Sequence, residues 1–341
     1  MIPNQWYVVL ESQQVKSRPV GVTRMGEKLV FWRAENGRVA CLRDTCLHRG
    51  VQLSKGKVIQ GRLQCPFHGF EYDPSGRVTL IPANGKIAPV PEAFKAPGYP
   101  AHEAHGFVWI WWGEQPPEDL APPRFFDDIG ADFSYGSLQD AWSVHYSRVI
   151  ENQLDVVHLP FVHHNTIGSG GRTLVEGPVV RWVDKDMFFF YVYNRTDDGS
   201  RPRKPSEMPP PDLERDFKLS FIFPNLWQNY INQDARVLAA FVPVDQAHTL
   251  LVLRFYQRFL RLPVLRELVN WLAMPFNRYI AHQDRRVVET HQVKASAYKS
   301  GEKLIAGDLP IVEYRRRRAE LDSGVLGSSQ VNAERSGGVP T

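Results

Sequence analysis

Between Trp6 and Trp112 the apolar residues fall into short β-rich runs, WYVVL, KLVFW, RVACL, RLQC, FEYD and FVWIWW, with turn-forming stretches such as ENG and DPSG between them. This pattern predicts a small all-β domain. The stretch from Glu114 to Phe125, EQPPEDLAPPRF, is rich in proline and acid and reads as an extended connector. Apolar positions then recur at helical spacing from about Ser143 to His158. Six further strands are predicted at TLVEGPVVRWV, DMFFFYVYNR, FKLSFIFP, LWQNYIN, RVLAAFVPV and TLLVLRFYQRF. A long helical stretch follows from about Pro263 to Ala297, with a break expected near Pro275, and a last helix runs from about Leu309 to Leu321. After Ser323 little remains that could be buried, which predicts a disordered tail. The fold class is therefore α+β, divided as an all-β domain at 1–115, a proline-rich linker at 116–133, a second domain at 134–322 and a tail at 323–341.

A chain of 341 residues can give each of two domains its own core. The net charge of +4 is spread out and calls for neither nucleic acid nor a membrane. The apolar stretch LPVLRELVNWLAMPF carries Arg266 and Glu267 and is too short to span a bilayer, so it is expected to pack as an amphipathic helix. Residues Thr196–Pro211 are expected to form a mobile surface loop, and the run Arg315 to Arg318 a solvated helix end. The start, MIPNQWYVVLESQQ, lacks the features of a signal peptide, and three cysteines are usage typical of a reducing compartment, so a cytoplasmic location is expected. Cys41, in the run VACL, is expected to be a buried structural thiol.

The chemistry starts at Cys46 and His48 in CLHRG and at Cys65 and His68 in CPFHGF. A structural zinc site usually brings its sulfurs in C-x(2-4)-C pairs. Here each half mixes one Cys with one His, so each half can give one ligand to each of two unlike irons. That is the ligand set of a Rieske 2Fe-2S cluster, with the Cys pair on one iron and the His pair on the other. Gly50 and Gly69 suit the tight loops such a cluster needs.

A second group lies in ENQLDVVHLPFVHH, where His158 and His163 are separated by a gap holding Pro160, expected to interrupt the helix and swing His163 back. Two imidazoles and one carboxylate make the facial triad of mononuclear non-haem iron(II) sites. The best carboxylate is Asp284 in AHQDRRVVETHQ, on a helix whose apolar residues Ile280, Val287 and Val288 are expected to point inward; His164 competes with His163. Asn152 is spaced to share a helix face with Asp155 and His158 and could orient water or substrate. For a substrate pocket, the aromatic and amide side chains Trp227, Tyr230 and Asn232 are the candidates.

Together these motifs, C-x-H, C-x-x-H and N-x-x-D-x-x-H-x4-H in this order, resemble the terminal oxygenase component of Rieske non-haem iron oxygenases, over nearly the whole chain up to about residue 321. The resemblance implies a Rieske domain followed by a helix-grip catalytic domain. It also implies that Cys46, His48, Cys65 and His68 bind the cluster and that His158, His163 and Asp284 bind the iron. Asp155 matches the family's bridging aspartate, linking His158 to the cluster histidine matching His68 of a neighbouring subunit. A head-to-tail ring, usually a homotrimer, follows. Electrons would come from NAD(P)H through a separate reductase, with or without a ferredoxin, since no glycine-rich dinucleotide fingerprint is present. Phe67 and Phe70 stand where many members carry Tyr and Trp. The length is closer to the short demethylases and hydroxylases, which favours hydroxylation or oxidative demethylation of a small aromatic compound over cis-dihydroxylation. The rival classes are a Rieske electron carrier with structural later histidines, and a binding module that has lost its iron.

Overall fold

The computed structural model describes residues 1–323 except 115, 117, 118, 212–217 and 261. The expected tail therefore lies outside the described residues from 324 onward, and the expected linker lies partly outside them.

The first half forms eleven strands: β1 (Gln5–Glu11), β2 (Val20–Arg24), β3 (Glu27–Arg33), β4 (Val39–Arg43), β5 (Lys57–Ile59), β6 (Arg62–Gln64), β7 (Glu71–Tyr72), β8 (Val78–Leu80), β9 (Gly98–Tyr99), β10 (Ala101–Ala104) and β11 (Phe107–Trp112). They make three antiparallel sheets, ordered β1-β11-β10, β2-β3-β4-β9 and β5-β6-β7-β8. Strand β3 is apolar on both faces and so serves two cores. Leu29 and Phe31 join the large core that continues into the second half, while Val30 and Trp32 join a smaller one holding Cys46 and Cys65.

The second half is built on β12 (Ser134–Trp142), β13 (Leu174–Asp184), β14 (Met187–Arg195), β15 (Lys218–Ile222), β16 (Leu226–Asn232), β17 (Ala235–Pro243) and β18 (Thr249–Gln257), with helices α1 (Tyr146–Leu154), α2 (Leu159–Val162), α3 (Pro263–Val288) and α4 (Leu309–Asp322). The strands form one seven-stranded antiparallel sheet, ordered β12-β18-β17-β16-β15-β14-β13. Helix α3 packs against β12 and β18, α1 against β17, and α4 against β13. A β domain followed by a sheet gripped by helices is the expected α+β class. The large core is continuous from Tyr7, Val9 and Ile110 to Trp142, Phe188 and Tyr314, so the two halves share buried apolar surface.

Four expectations about the helices need correction. Helix α1 ends at Leu154 and Asp155 takes extended backbone (φ −75°, ψ 127°), so Asn152, Asp155 and His158 do not share one helical face. Pro160 does not end a helix but opens one, standing in the first turn of α2, where its missing N–H costs nothing. Helix α3 runs through Pro275 without a break. The carbonyl that loses its partner belongs to Trp271, on the exposed side where water can take its place. It stops at Val288 rather than Ala297, as the Thr290 hydroxyl and His291 Nδ1 cap the carbonyls of Val287 and Val288.

The inward stripe of α3 matches the expected one at Val288 and departs from it at Val287. Asn270, Ala281, Asp284 and Val288 are buried, whereas Val264, Leu268, Trp271 and Val287 are exposed. Beside Val288, it is small and polar side chains that turn inward. The arginine run is not a solvated end either. Arg315 pairs with Glu151 and Glu302, Arg316 with Glu313 and Glu320, Arg317 with Glu320, and Arg318 donates to the Ser296 carbonyl.

Candidate metal centres and substrate cavity

Two matching loops carry the first group. One follows β4 and the other joins β6 to β7, and each closes with a glycine N–H donating to the cysteine carbonyl four residues back: Gly50 to Cys46 at 2.9 Å and Gly69 to Cys65 at 3.2 Å. Both glycines have φ near +73°, a conformation that a side chain would strain. Cys46 and Cys65 are buried and unpaired by any disulfide, while His48 and His68 are exposed with their Nδ1 atoms 3.1 Å apart. Two buried sulfurs below two exposed imidazoles suit a cluster with one inner and one outer iron. Phe70 stacks on His48 with parallel planes at 4.9 Å, and Phe67 lies against His68 at 3.8 Å. The Tyr72 hydroxyl lies 3.1 Å from Cys46 Sγ. Burial, then the neighbouring sulfur, hold that hydroxyl well above its usual range, so it keeps its proton to donate.

The second group forms where α1, α2 and α3 meet. His158 precedes α2, His163 ends it, and Asp284 lies on the inward stripe of α3. Asp284 Oδ1 is 2.9 Å from His163 Nε2 and 3.4 Å from His158 Nε2, and all three ligand atoms lie within 4.8 Å of one another. His164 is exposed and turns Nδ1 toward the Phe161 carbonyl, so His163 is the histidine brought to Asp284. Burial alone would suppress the charge on His158, but Asp155 and Asp284 outweigh it and raise the imidazole to about 9. Burial would likewise push Asp284 up, yet His158 and His163 hold it down at about 2.

Asp284 Oδ1 is nevertheless buried without a hydrogen-bond partner. His163 Nδ1 faces Gln283 Oε1 at 2.8 Å, and an amide oxygen only accepts, so the proton sits on Nδ1 and Nε2 presents a lone pair. The Nε2 of His163 and the carboxylate of Asp284 thus face each other as acceptors, and the proton shared among the three side chains is the one held at His158. That arrangement fits a cation, which would displace the proton held at His158.

Asp155 accepts the backbone N–H groups of Val157 at 2.6 Å and His158 at 3.2 Å through Oδ1, and its Oδ2 lies 3.7 Å from His158 Nδ1. Asn152 is half-buried with an unpartnered Nδ2 and does not line the cavity beside the site. Its neighbour Gln153 does, and donates to Asp284 Oδ2 at 3.3 Å. Gln153 and Gln283 were missed in the sequence; each sits one position from a residue that was singled out.

A cavity of about 340 Å³ opens beside Asp284, between β16, β17, β18 and α3. Trp227 lines it, but Tyr230 and Asn232 do not: alternation along β16 sends Trp227, Asn229 and Ile231 to the cavity and the other two elsewhere. Tyr230 packs under the Arg236 guanidinium at 3.7 Å, and Asn232 is exposed.

A β domain holding a Cys/His loop pair, joined to a helix-gripped sheet holding a His/His/Asp group, defines a two-centre iron protein of the Rieske oxygenase type. The Rieske [2Fe-2S] domain family matches residues 5–92, and the vanillate O-demethylase oxygenase C-terminal domain family matches residues 142–323. The chain belongs to the family of Rieske oxygenases that carry this C-terminal domain. It is 32% identical over 187 residues to a vanillate O-demethylase oxygenase subunit of a Pseudomonas strain, covering 54% of this chain and 50% of that one. To the oxygenase component of dicamba O-demethylase from Stenotrophomonas maltophilia it is 31% identical over 183 residues, 52% of each chain. The matched stretch thus spans about half the length of these relatives. Pseudomonas putida NdmA with caffeine has the same fold, with a TM-score of 0.76 at 24% identity over 94% of this chain and 91% of that one. No described helix is long and apolar enough to cross a membrane.

Proposed function

We propose that the chain is the terminal oxygenase of a multicomponent system, taking electrons from a separate NAD(P)H-dependent reductase, directly or through a ferredoxin, and using O2 to hydroxylate or oxidatively demethylate a small aromatic compound. The observation that carries this is the convergence of the His158, His163 and Asp284 ligand atoms on one point beside a cavity. A pure electron carrier has no use for that point. When bound, the cluster supplies single electrons and the mononuclear iron supplies O2 activation.

The protein's own part is positional. Cys46, Cys65, His48 and His68 hold the cluster, and His158, His163 and Asp284 hold the iron. Gln283 fixes the proton of His163 on Nδ1, and Asp155 stands where it can do the same for His158. The Asp155 carboxylate is 29% exposed, which leaves it free to accept from a cluster histidine of a neighbouring copy in a head-to-tail homotrimer. In this division the Rieske domain is 1–115 and the catalytic domain 134–322. The relatives' names, vanillate and dicamba O-demethylase, favour demethylation over cis-dihydroxylation.

Metal and sulfide analysis of anaerobically purified protein tests the reading. About three irons and two sulfides per chain are expected, falling by one iron with sulfide unchanged in His158→Ala. The same cluster-only iron content in both proteins, after attempted iron reconstitution, would support the electron-carrier reading instead.

A further inference from the structure

We infer that the cavity selects an uncharged ring compound carrying a hydrogen-bond acceptor next to a donor, read by Trp227 and Asn229; this rests on the oxygenase reading above. The two side chains stand two residues apart on β16, so they share one face of the strand. Both line the cavity, and both carry a buried polar atom without a partner: the indole N–H of Trp227 and the amide Oδ1 of Asn229. A buried donor beside a buried acceptor, both unmet, is costly until something supplies the complementary pair. An amide, lactam or N-heterocyclic edge does so, its acceptor meeting Trp227 Nε1–H and its N–H meeting Asn229 Oδ1.

The rest of the wall decides against an anion. Val237, Leu251, Leu253, Phe255 and Ile280 are apolar. Asn277 gives one Nδ2–H to the Ala273 carbonyl at 2.8 Å, and Gln153 gives one Nε2–H to Asp284, whose carboxylate itself lines the cavity and repels an anion. A carboxylate moved into such a place needs a cation or several donors. Among the described lining residues none is cationic, and the donor left buried without a partner is the Trp227 indole N–H. The rim is apolar too, since Ile167, Ile231 and Phe276 line the cavity and are exposed. A volume of about 340 Å³, near the lower end of ligand pockets at about 300–1,000 Å³, admits one or two fused rings.

Three probes of matched shape separate the possibilities: 2-naphthamide, 2-naphthoate and 2-acetonaphthone, titrated calorimetrically into the metal-loaded protein. The amide is expected to bind about tenfold more tightly than the carboxylate and about fivefold more tightly than the ketone, which lacks the donor. Trp227→Phe should weaken the amide and the ketone about fivefold, and the carboxylate by no less, since each accepts from the indole N–H; Asn229→Leu should erase the preference for amide over ketone. Carboxylate binding equal to or tighter than the amide, or no amide binding to folded wild-type protein, would overturn the inference, and the wild-type ranking decides even if a variant misfolds. Calorimetry needs no turnover, so the ranking can fail while the iron content stands, and the iron content can fail while the ranking stands.

Discussion

Gln283 and His163 meet through a 2.8 Å contact between the amide Oε1 and the imidazole Nδ1, and the amide is itself pinned, donating to Asn165 Oδ1 at 3.1 Å and accepting from the Thr166 hydroxyl at 3.0 Å. The ring is held in the tautomer that turns a lone pair toward Asp284. Gln283→Leu removes that hold without touching a proposed ligand. Iron affinity at the mononuclear site should fall about 10–100-fold, read by chelator competition, with the cluster absorption unchanged. An unaltered iron affinity would show that packing alone orients His163.

Asp155 follows α1, holds the turn into α2 by accepting the Val157 and His158 N–H groups on one carboxylate oxygen, and keeps the other near His158 Nδ1. Asp155→Asn retains an oxygen for the backbone N–H groups but loses the charge and one acceptor. The variant should fold, carry both metals and accept an electron into its cluster, yet lose turnover about tenfold or more. Wild-type turnover would remove Asp155 from the electron path.

These residues differ in how far the sequence could reveal them. The cluster loops were legible because cysteine, histidine and glycine recur there at fixed short spacing. The sheet was legible except for β12, whose sequence SYGSLQDAW is too polar to read as a strand and which is only partly buried. Asp284 does meet His158 and His163, and its reason held in part: Val288 is buried and Ile280 lines the cavity with it, whereas Val287 is exposed and Asn270 and Ala281 turn inward instead. Tyr230 and Asn232 were misplaced because composition marks a strand as a wall, whereas only register tells which alternate residues face the cavity. Gln153 and Gln283 had no signal at all, because an uncharged amide acquires its role only from what the fold sets beside it.

Arg254 is fully buried where the two halves meet, its guanidinium 3.3 Å from the Phe107 ring centre. It donates to the carbonyls of His105 and Gly106 at 2.7 Å each and pairs with Glu11 at 3.2 Å. Arg254→Met would keep the bulk but leave the buried Glu11 carboxylate without its cation, held by Ser137 and Gln139, and take a donor from the His105 and Gly106 carbonyls, at about 3–5 kcal/mol of stability. Denaturant unfolding measures the loss. Adding Glu11→Gln should recover part of it, and a double variant no better than the single would mean the loss is one of packing.

His145 gives a pH dependence of known sign. It caps the N-terminus of α1, with Nδ1 accepting from the Ser147 N–H at 3.3 Å, and it is 1% exposed. Burial first, then the positive charges of Arg318, the N-terminus and Arg148, pull it down from 6.5 to about 3. The folded chain therefore keeps this ring neutral while the unfolded chain protonates it. Its contribution is complete above 6.5 and is lost as the pH falls toward about 3, by at most about 1.4 kcal/mol per pH unit. His145→Asn keeps a capping oxygen and removes the titration. Between about pH 6 and about pH 4.5 its stability should decline less steeply than that of the wild type, by up to this one-proton slope. The carboxylates and the other histidines titrate in both proteins, so comparing the two slopes cancels them. Parallel declines would mean that His145 is protonated in the fold as readily as in the open chain.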